Sequence, residues 1–360
     1  KARRLEGVRH IVLVGLLICF GGSLLLYFTV TAYKPESQLY ISNLSDKPKP
    51  ELSLPTDLKL LTWNIGYGGL GTKADFIMEG GKMGVPEGHD DVERNLRAIE
   101  SVLKDSVADI YLLQEVERAS SRTFDINELN RITTRFPDYF SWFAPNFKVQ
   151  YVPSPISDPI GRVDSGILTL GRWDTPATIR YQLPGEFPWP TRIFHLKRCL
   201  TLARFKSPVE NRDWCVINLH LSAYDKGATL RKQQLKFVKN LMLQLYDQGH
   251  YVVLGGDWNT MLPGIAMDTF GAYTTSKKSL FWLAYLPENW TPKEWQWGFD
   301  KGVPTCRTLE QPYVQNQNFT TIIDGFLISP NVDLIEVKGL DLGFENSDHN
   351  PVMARVRLKE

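Results

Sequence analysis

Near its C-terminal end the chain reads Ser347-Asp348-His349-Asn350-Pro351-Val352, an acid and an imidazole side by side where a loop enters an apolar run, Val352-Met353-Ala354-Arg355-Val356. Such a pair can serve one substrate. The carboxylate binds a hard cation or orients its neighbour, and the imidazole takes or gives a proton near neutral pH. A lone Ser-Asp-His also occurs on ordinary surface loops. Here, however, polar residues recur wherever a buried run ends. Asn64 follows Leu60-Leu61-Thr62-Trp63, and Glu115 follows Tyr111-Leu112-Leu113-Gln114. His220 follows Val216-Ile217-Asn218-Leu219, and Asp257 and Asn259 follow Val252-Val253-Leu254-Gly255-Gly256. Asp324 reads as lying inside a strand over residues 321–328, where an unpaired carboxylate is costly to bury.

Each residue has an ordinary reading by itself. Asn64 suits a turn, His220 suits a satisfied core histidine, and Asp257-Trp258-Asn259-Thr260 suits a plain loop. The repetition does not. Strands that end on one rim of a sheet would gather these side chains, and loops at such rims carry function. His349 is expected to stand exposed on that rim.

Carboxylates, amides and imidazoles without a thiolate cluster favour a hard divalent cation, Mg²⁺ with Mn²⁺ as a substitute. Such an ion neutralises a phosphoryl oxygen while a His–Asp pair activates water. The set therefore points to hydrolysis of a phosphate ester.

The elements that must position these residues are legible as runs of β-branched and aromatic residues. They cover residues 58–63, 109–113, 166–170, 200–205, 214–219, 251–254, 321–328 and 351–358. Two helices carry apolar stripes: Val92, Leu96, Ile99 and Leu103, then Leu235, Val238, Leu241, Met242 and Leu245. Many strands with few helices imply sheets packed together and flanked by helices.

The chain has 360 residues, 43% hydrophobic and 22% charged, as a globular protein does. Its first part differs. Residues 11–32 are apolar without a charge, long enough to span a bilayer. Lys1, Arg3, Arg4 and Arg9 precede them, so the positive-inside rule puts the N-terminus in the cytoplasm and the rest outside, as a single-pass membrane protein. Val30-Thr31-Ala32 offers a cleavage site as an alternative, but the run is long for a signal peptide. Residues 1–10 form a basic flank, 11–33 the membrane helix, 34–57 a Pro-, Ser- and Lys-rich linker, and 58–360 one catalytic unit. The formal charge is +1 overall and about −2 beyond the flank, which excludes a basic nucleic-acid binder by bulk charge. Cys199, Cys215 and Cys306 lack C-x-x-C spacing, so no zinc site or dense disulfide framework is indicated.

At six motifs the sequence resembles the endonuclease/exonuclease/phosphatase superfamily, with DNase I, abasic-site endonucleases, inositol polyphosphate 5-phosphatases and neutral sphingomyelinases among its members. They are Thr62-Trp63-Asn64-Ile65-Gly66, Leu113-Gln114-Glu115-Val116, Asn218-Leu219-His220-Leu221, Gly256-Asp257-Trp258-Asn259, Ile323-Asp324-Gly325 and Ser347-Asp348-His349-Asn350-Pro351-Val352. The resemblance covers residues 58–358 and implies an α/β, four-layer sandwich with two packed mixed sheets flanked by helices. It implies that Asn64 and Glu115 bind Mg²⁺, with Asp348 a further ligand or neighbour of one. Asp257 would align or deprotonate water, and Asn259 would contact the phosphate. His220 would touch the phosphate or assist the leaving group, and His349, paired with Asp324, would act as acid or base. Lys197 and Arg198 would lend positive charge to the substrate. Asp225-Lys226 is similar to an Asp-Lys pair that follows the matching His in neutral sphingomyelinases.

The substrate is a phosphoester, lipid or nucleic acid, and no protein partner is implied. The anchor, the near-neutral charge and the aromatics Phe281, Trp282, Tyr285, Trp290, Trp295 and Trp297 favour a lipid or another small phosphoester over duplex DNA. The alternatives are an exported nuclease and an inactive, membrane-anchored binding module.

Overall fold

Side-chain alternation along the strands decides the layers. In β2 (Asp57–Asn64), Leu58 and Leu60 enter one cluster while Leu61 and Trp63 enter another. A strand whose two faces are both apolar must be covered on both sides.

A computed structural model describes residues 2–45 and 53–359. Lys1 of the expected flank, Pro48 and Pro50 of the expected linker, and Glu360 lie outside the described residues, as do the side chains of Arg3 and Arg4. Helix α1 (Ala2–Thr31) leads to β1 (Gln38–Tyr40), β2, helix α2 (His89–Ser106), β3 (Ile110–Glu117) and helix α3 (Glu128–Arg135). Next come β4 (Phe140–Val152), β5 (Gly161–Gly171), β6 (Ala177–Gln182), β7 (Cys199–Lys206), β8 (Asp213–His220) and helix α4 (Thr229–Asp247). The rest is β9 (Tyr251–Asp257), β10 (Gln296–Gly298), β11 (Cys306–Arg307), β12 (Thr320–Thr321), β13 (Asp324–Ile328), β14 (Val332–Gly339) and β15 (Val352–Leu358).

Besides a two-stranded ribbon of β11 and β12, one large sheet runs β1-β6-β7-β8-β9-β13-β10 and the other β14-β15-β2-β3-β5-β4 among the described residues. Each has a single parallel pair, β8 with β9 and β2 with β3. Ile110, Leu112, Val216 and Val253 share the core between the sheets. Tyr111 and Leu113 face α2 and α3, while Ile217 and Leu254 face α4. The result is the expected four-layer α/β sandwich. Truncating one such residue, Leu113→Ala for instance, would cost about 2–5 kcal/mol.

The stretch read as a solvated linker contains an element. Gln38–Tyr40 pairs antiparallel with β6 and so extends the first sheet. The strand expected over residues 321–328 is also interrupted. Thr305 Oγ1 accepts the backbone N–H groups of Ile323 and Asp324, each at 3.0 Å, so the ladder restarts at Asp324. Asp324 is therefore the first residue of β13, not a mid-strand carboxylate. Glu6–Thr31 is a helix long and apolar enough to cross a membrane, and none of its apolar window is buried by the chain; a signal sequence has the same character.

Candidate active site

The C-terminal ends of both parallel pairs meet. Asn64 closes β2, and its Nδ2 donates to Asp257 Oδ2 at the end of β9, 3.1 Å away. Register places His220 directly beside Asp257 on one flank and Asp324 on the other. Gly256 permits this approach. Its φ is +149°, and a Cβ there would stand 2.0 Å from the Leu219 carbonyl. Glu115 lies in a bulge between Leu113 and Val116 with φ 57°, and Asn259 has φ 48°. Bulges and left-handed non-glycine residues re-aim side chains, and their strain is tolerated where the surroundings hold them.

His349 is fixed from several sides. Its Nδ1 donates to Asp324 Oδ2 at 2.8 Å, and its carbonyl accepts from Trp63 Nε1 at 2.8 Å. Its Nε2 stands 4.0 Å from Asp257 Oδ2 and 3.9 Å from Asp348 Oδ2. His220 Nε2 lies 3.3 Å from Asp257 Oδ2 and 3.9 Å from Glu115 Oε1. Asp257 also accepts from the Asn259 backbone N–H at 2.8 Å and from Asn259 Nδ2 at 3.2 Å. Gly66 lets Asp348 draw near, since a Cβ at that residue would be 2.8 Å from Asp348 Oδ1.

The expected exposed rim is instead a buried floor: His349 is 5% exposed and His220 1%. Burial in low dielectric penalises charge. It keeps His220 neutral, with Arg198 and His349 pushing the same way. Burial also opposes charge on His349, but the Asp324 and Asp348 carboxylates outweigh it and hold that imidazole well above its ordinary value. Burial raises Asp257 to about 6, assisted by Asp324. Burial likewise raises Asp348 to about 6. The two imidazoles thus differ, one neutral and one cationic, which is how acid and base roles are separated.

Nine of the expected residues meet here; Lys197 does not. Neighbours in an extended segment point to opposite sides. Arg198 lines the cavity, with Nη1 buried and unpartnered, whereas Lys197 turns away and pairs with Glu186 at 2.8 Å. The aromatic stretch is largely packing, with Trp282, Trp290 and Trp295 buried. Phe281 and Tyr285 remain exposed, and Trp282 reaches the cavity wall. Asp225 caps a helix: its Oδ2 accepts from the Leu230 and Arg231 N–H groups at 2.7 and 3.1 Å.

Several residues at the site escaped sequence reasoning. Asn146 lines the cavity with Nδ2 buried and unpartnered, a second donor free for an anion. Buried Glu79 pairs there with half-buried Tyr224, whose Oη donates to Oε1 at 2.9 Å. Gln114 and Asn218 tie the two sheets together beneath the floor, Nε2 to Oδ1 at 2.8 Å. Gln114 and Asn218 were visible as polar residues inside apolar strands; Asn146, Glu79 and Tyr224 left no such signal.

The Endonuclease/Exonuclease/phosphatase family model matches residues 61–349, most of the chain. The chain belongs to the endonuclease/exonuclease/phosphatase family. Members of the family are phosphodiesterases, nucleases and phosphatases, so the chain is a phosphoric ester hydrolase by class. An endonuclease/exonuclease/phosphatase from Beutenbergia cavernae DSM 12333 aligns over 84% of this chain and 72% of its own, with TM-score 0.55 and 20% identity. Another from Bacteroides vulgatus covers 84% and 100%, with TM-score 0.52 and 15% identity. ANGEL2, a 2',3'-cyclic phosphatase, covers 91% and 100%, with TM-score 0.54 and 14% identity. At such identities the likeness is one of fold. No curated protein matches by sequence.

Family members generally depend on a divalent metal, and the donor set here suits one. Its donors are oxygens: Glu115, Asp348, Asp257, Asp324 and the Asn64 amide, which spends one lone pair on the Gly66 N–H. Asp324 Oδ1 is buried without a partner. Cys306 is no competitor, because burial pushes its thiol up to about 12. Asp257, Asp324 and His349 can bring ligand atoms within 4.8 Å of one another. That trio fits a hydrogen-bonded relay better than a cation site. His349 Nδ1 is already committed to Asp324, and Asp257 is already held by Asn64, Asn259 and His220.

Proposed function

We propose that this protein is a membrane-tethered, Mg²⁺-dependent hydrolase of phosphodiesters, with the N-terminus cytoplasmic and the catalytic unit outside. The observation that carries it is the Asp324–His349 pair facing the Asp257–His220 pair across a few ångströms, where β8 and β9 end beside the start of β13. Glu115 and Asn64, with Asp348 beside them, would hold the cation, which would supply charge neutralisation at the phosphate. Asp257, whose carboxylate is oriented by Asn64 and Asn259, aligns water for attack on phosphorus and takes its proton. Asn146 Nδ2 and Arg198 Nη1, both buried and unpartnered, hold the phosphoryl oxygens, and fixed donors of this kind stabilise charge that grows in the transition state. Asn259 Nδ2, which already donates to Asp257 Oδ2 and to the Leu221 carbonyl, borders the phosphate without a free donor. His349, kept cationic by Asp324, protonates the leaving oxygen, and neutral His220 bonds a phosphoryl oxygen through Nε2.

The test offers the protein vesicle phospholipid and plasmid DNA side by side, with Mg²⁺ and with EDTA. Metal-dependent release of the lipid headgroup phosphate ester supports a lipid phosphodiesterase. DNA nicking without lipid turnover makes it a nuclease, and inertness to both refutes the hydrolase.

A further inference from the structure

The cavity above the catalytic floor has a volume of about 440 Å³, within the range of small-molecule sites. Its lining is of two kinds. One part holds the histidines and carboxylates. Another is apolar, with Phe147, Val152, Ile160 and Leu196 packed in one cluster and Phe187 and Phe194 also in the lining. Catalysis at phosphorus uses none of these six. They come from two segments: the second half of β4 with the loop that joins it to β5, and the long loop joining β6 to β7.

The same two segments sit at the foot of α1. Phe194 packs edge-on to Phe28, with ring centroids 5.6 Å apart. Trp189 Nε1 donates to Thr29 Oγ1 at 3.2 Å. A groove beside them is lined by Phe28 and Tyr33 from the helix side and by Val149 and Tyr151 from β4. Phe194 borders both this groove and the catalytic cavity. The two segments also display apolar side chains to solvent: Ile156 is 96% exposed, Trp189 50% and Tyr151 41%. Trp and Tyr are enriched at membrane–water interfaces, and an aliphatic side chain so exposed is suited to entering one.

We infer that the six-residue apolar wall is a compartment for the hydrocarbon chain of an amphiphilic phosphodiester, which enters from the bilayer at the foot of α1. The inference rests on the proposed phosphodiesterase activity and names the substrate class of that same site. A chain drawn into the compartment leaves its phosphate over Asp257, His220 and His349. A single-stranded nucleic acid would ask for an exposed basic groove with stacking rings along it. Of the two arginines that line this cavity, Arg122 is buried and paired with Glu117 at 2.7 Å, and Arg198 is buried.

The full chain in phosphatidylcholine nanodiscs, carrying a fraction of phosphatidylcholine with a photoactivatable acyl chain, tests this directly. EDTA prevents turnover, and the crosslinked peptides are mapped by mass spectrometry. Crosslinks within residues 145–163 and 183–198 are expected besides those on α1. Phe194→Asp and the fully exposed Ile156→Asp should each reduce the cavity crosslinks severalfold and leave those on α1. Crosslinks confined to α1 in the unmodified chain, or cavity crosslinks unmoved by both variants, overturn the inference.

A parallel assay with Mg²⁺ and bis(p-nitrophenyl) phosphate, a diester without a chain, separates the two ideas. Cleavage of that ester with crosslinks only on α1 would overturn the compartment alone. Cavity crosslinks without hydrolysis of any diester would support the compartment and refute the hydrolase.

Discussion

Glu79 offers a quantitative test of the cavity's electrostatics. It is 5% exposed, and its carboxyl accepts hydrogen bonds from Tyr224 Oη at 2.9 Å and the Leu309 N–H at 2.8 Å. Burial lifts it from 4.5 to about 7, with Asp348 and Glu310 adding repulsion. A carboxyl whose folded value is raised favours the fold most below its unfolded value. That contribution disappears as pH climbs through the folded value. The window therefore runs from 4.5 to about 7. At about 1.4 kcal/mol for each pH unit, the buried carboxylate costs on the order of 3 kcal/mol above it. Glu79→Gln keeps the shape and removes the charge. Relative to the unmodified chain, the variant should gain about 2–3 kcal/mol of stability between about pH 5 and about pH 8. Urea unfolding of the full chain in detergent micelles, followed by tryptophan fluorescence at both pH values, reads this difference. A stability difference that does not change with pH would refute the reasoning.

Three further outcomes follow from the site. Glu115→Gln should raise the Mg²⁺ concentration for half-maximal activity about tenfold or more, because cation affinity follows ligand charge; an unchanged metal titration would remove Glu115 from the ligand set. Asn218→Ala strips the Gln114 bridge and two carbonyl contacts from between the sheets. It should cost about 2–3 kcal/mol in urea unfolding, and a loss under about 0.5 kcal/mol would show that the bridge is dispensable. Asp324→Asn should lower kcat by about a hundredfold or more. It should also shift the alkaline limb of the pH–rate profile downward, since His349 loses its main anionic partner; a superimposable profile would deny that pairing a role.

Much of the architecture was legible because interior strands are covered on both faces. The residue types of β2, β3, β8 and β9 announce them as buried strands, and the polar residue that ends each run marks the rim. Edge strands carry weaker signals. β4 contains Pro145 and a polar end, β14 carries Asp333, Glu336 and Lys338, and β1 has three exposed residues. None was anticipated, because an edge needs less apolar coverage. The error at Asp324 has a local cause: Ile322 and Ile323 are buried and apolar as in a strand, but the Thr305 hydroxyl takes backbone donors there. Lys197 and Arg198 could not be told apart without knowing which way the segment enters β7. Glu79 and Asn146 reach the cavity only through tertiary packing of distant segments, which spacing along the chain does not encode.

The central claim is hydrolysis of a phosphodiester by a cation-dependent site in which His349 takes part. It is tested most directly by the rate of bis(p-nitrophenyl) phosphate cleavage by the full chain. The rate is compared with Mg²⁺, with EDTA, and with Mg²⁺ in His349→Ala, after circular dichroism has shown that the variant is folded. Cleavage that requires Mg²⁺ and falls by about a hundredfold or more in the variant is the predicted result. Cleavage that survives EDTA, or that persists at the original rate without His349, would contradict it.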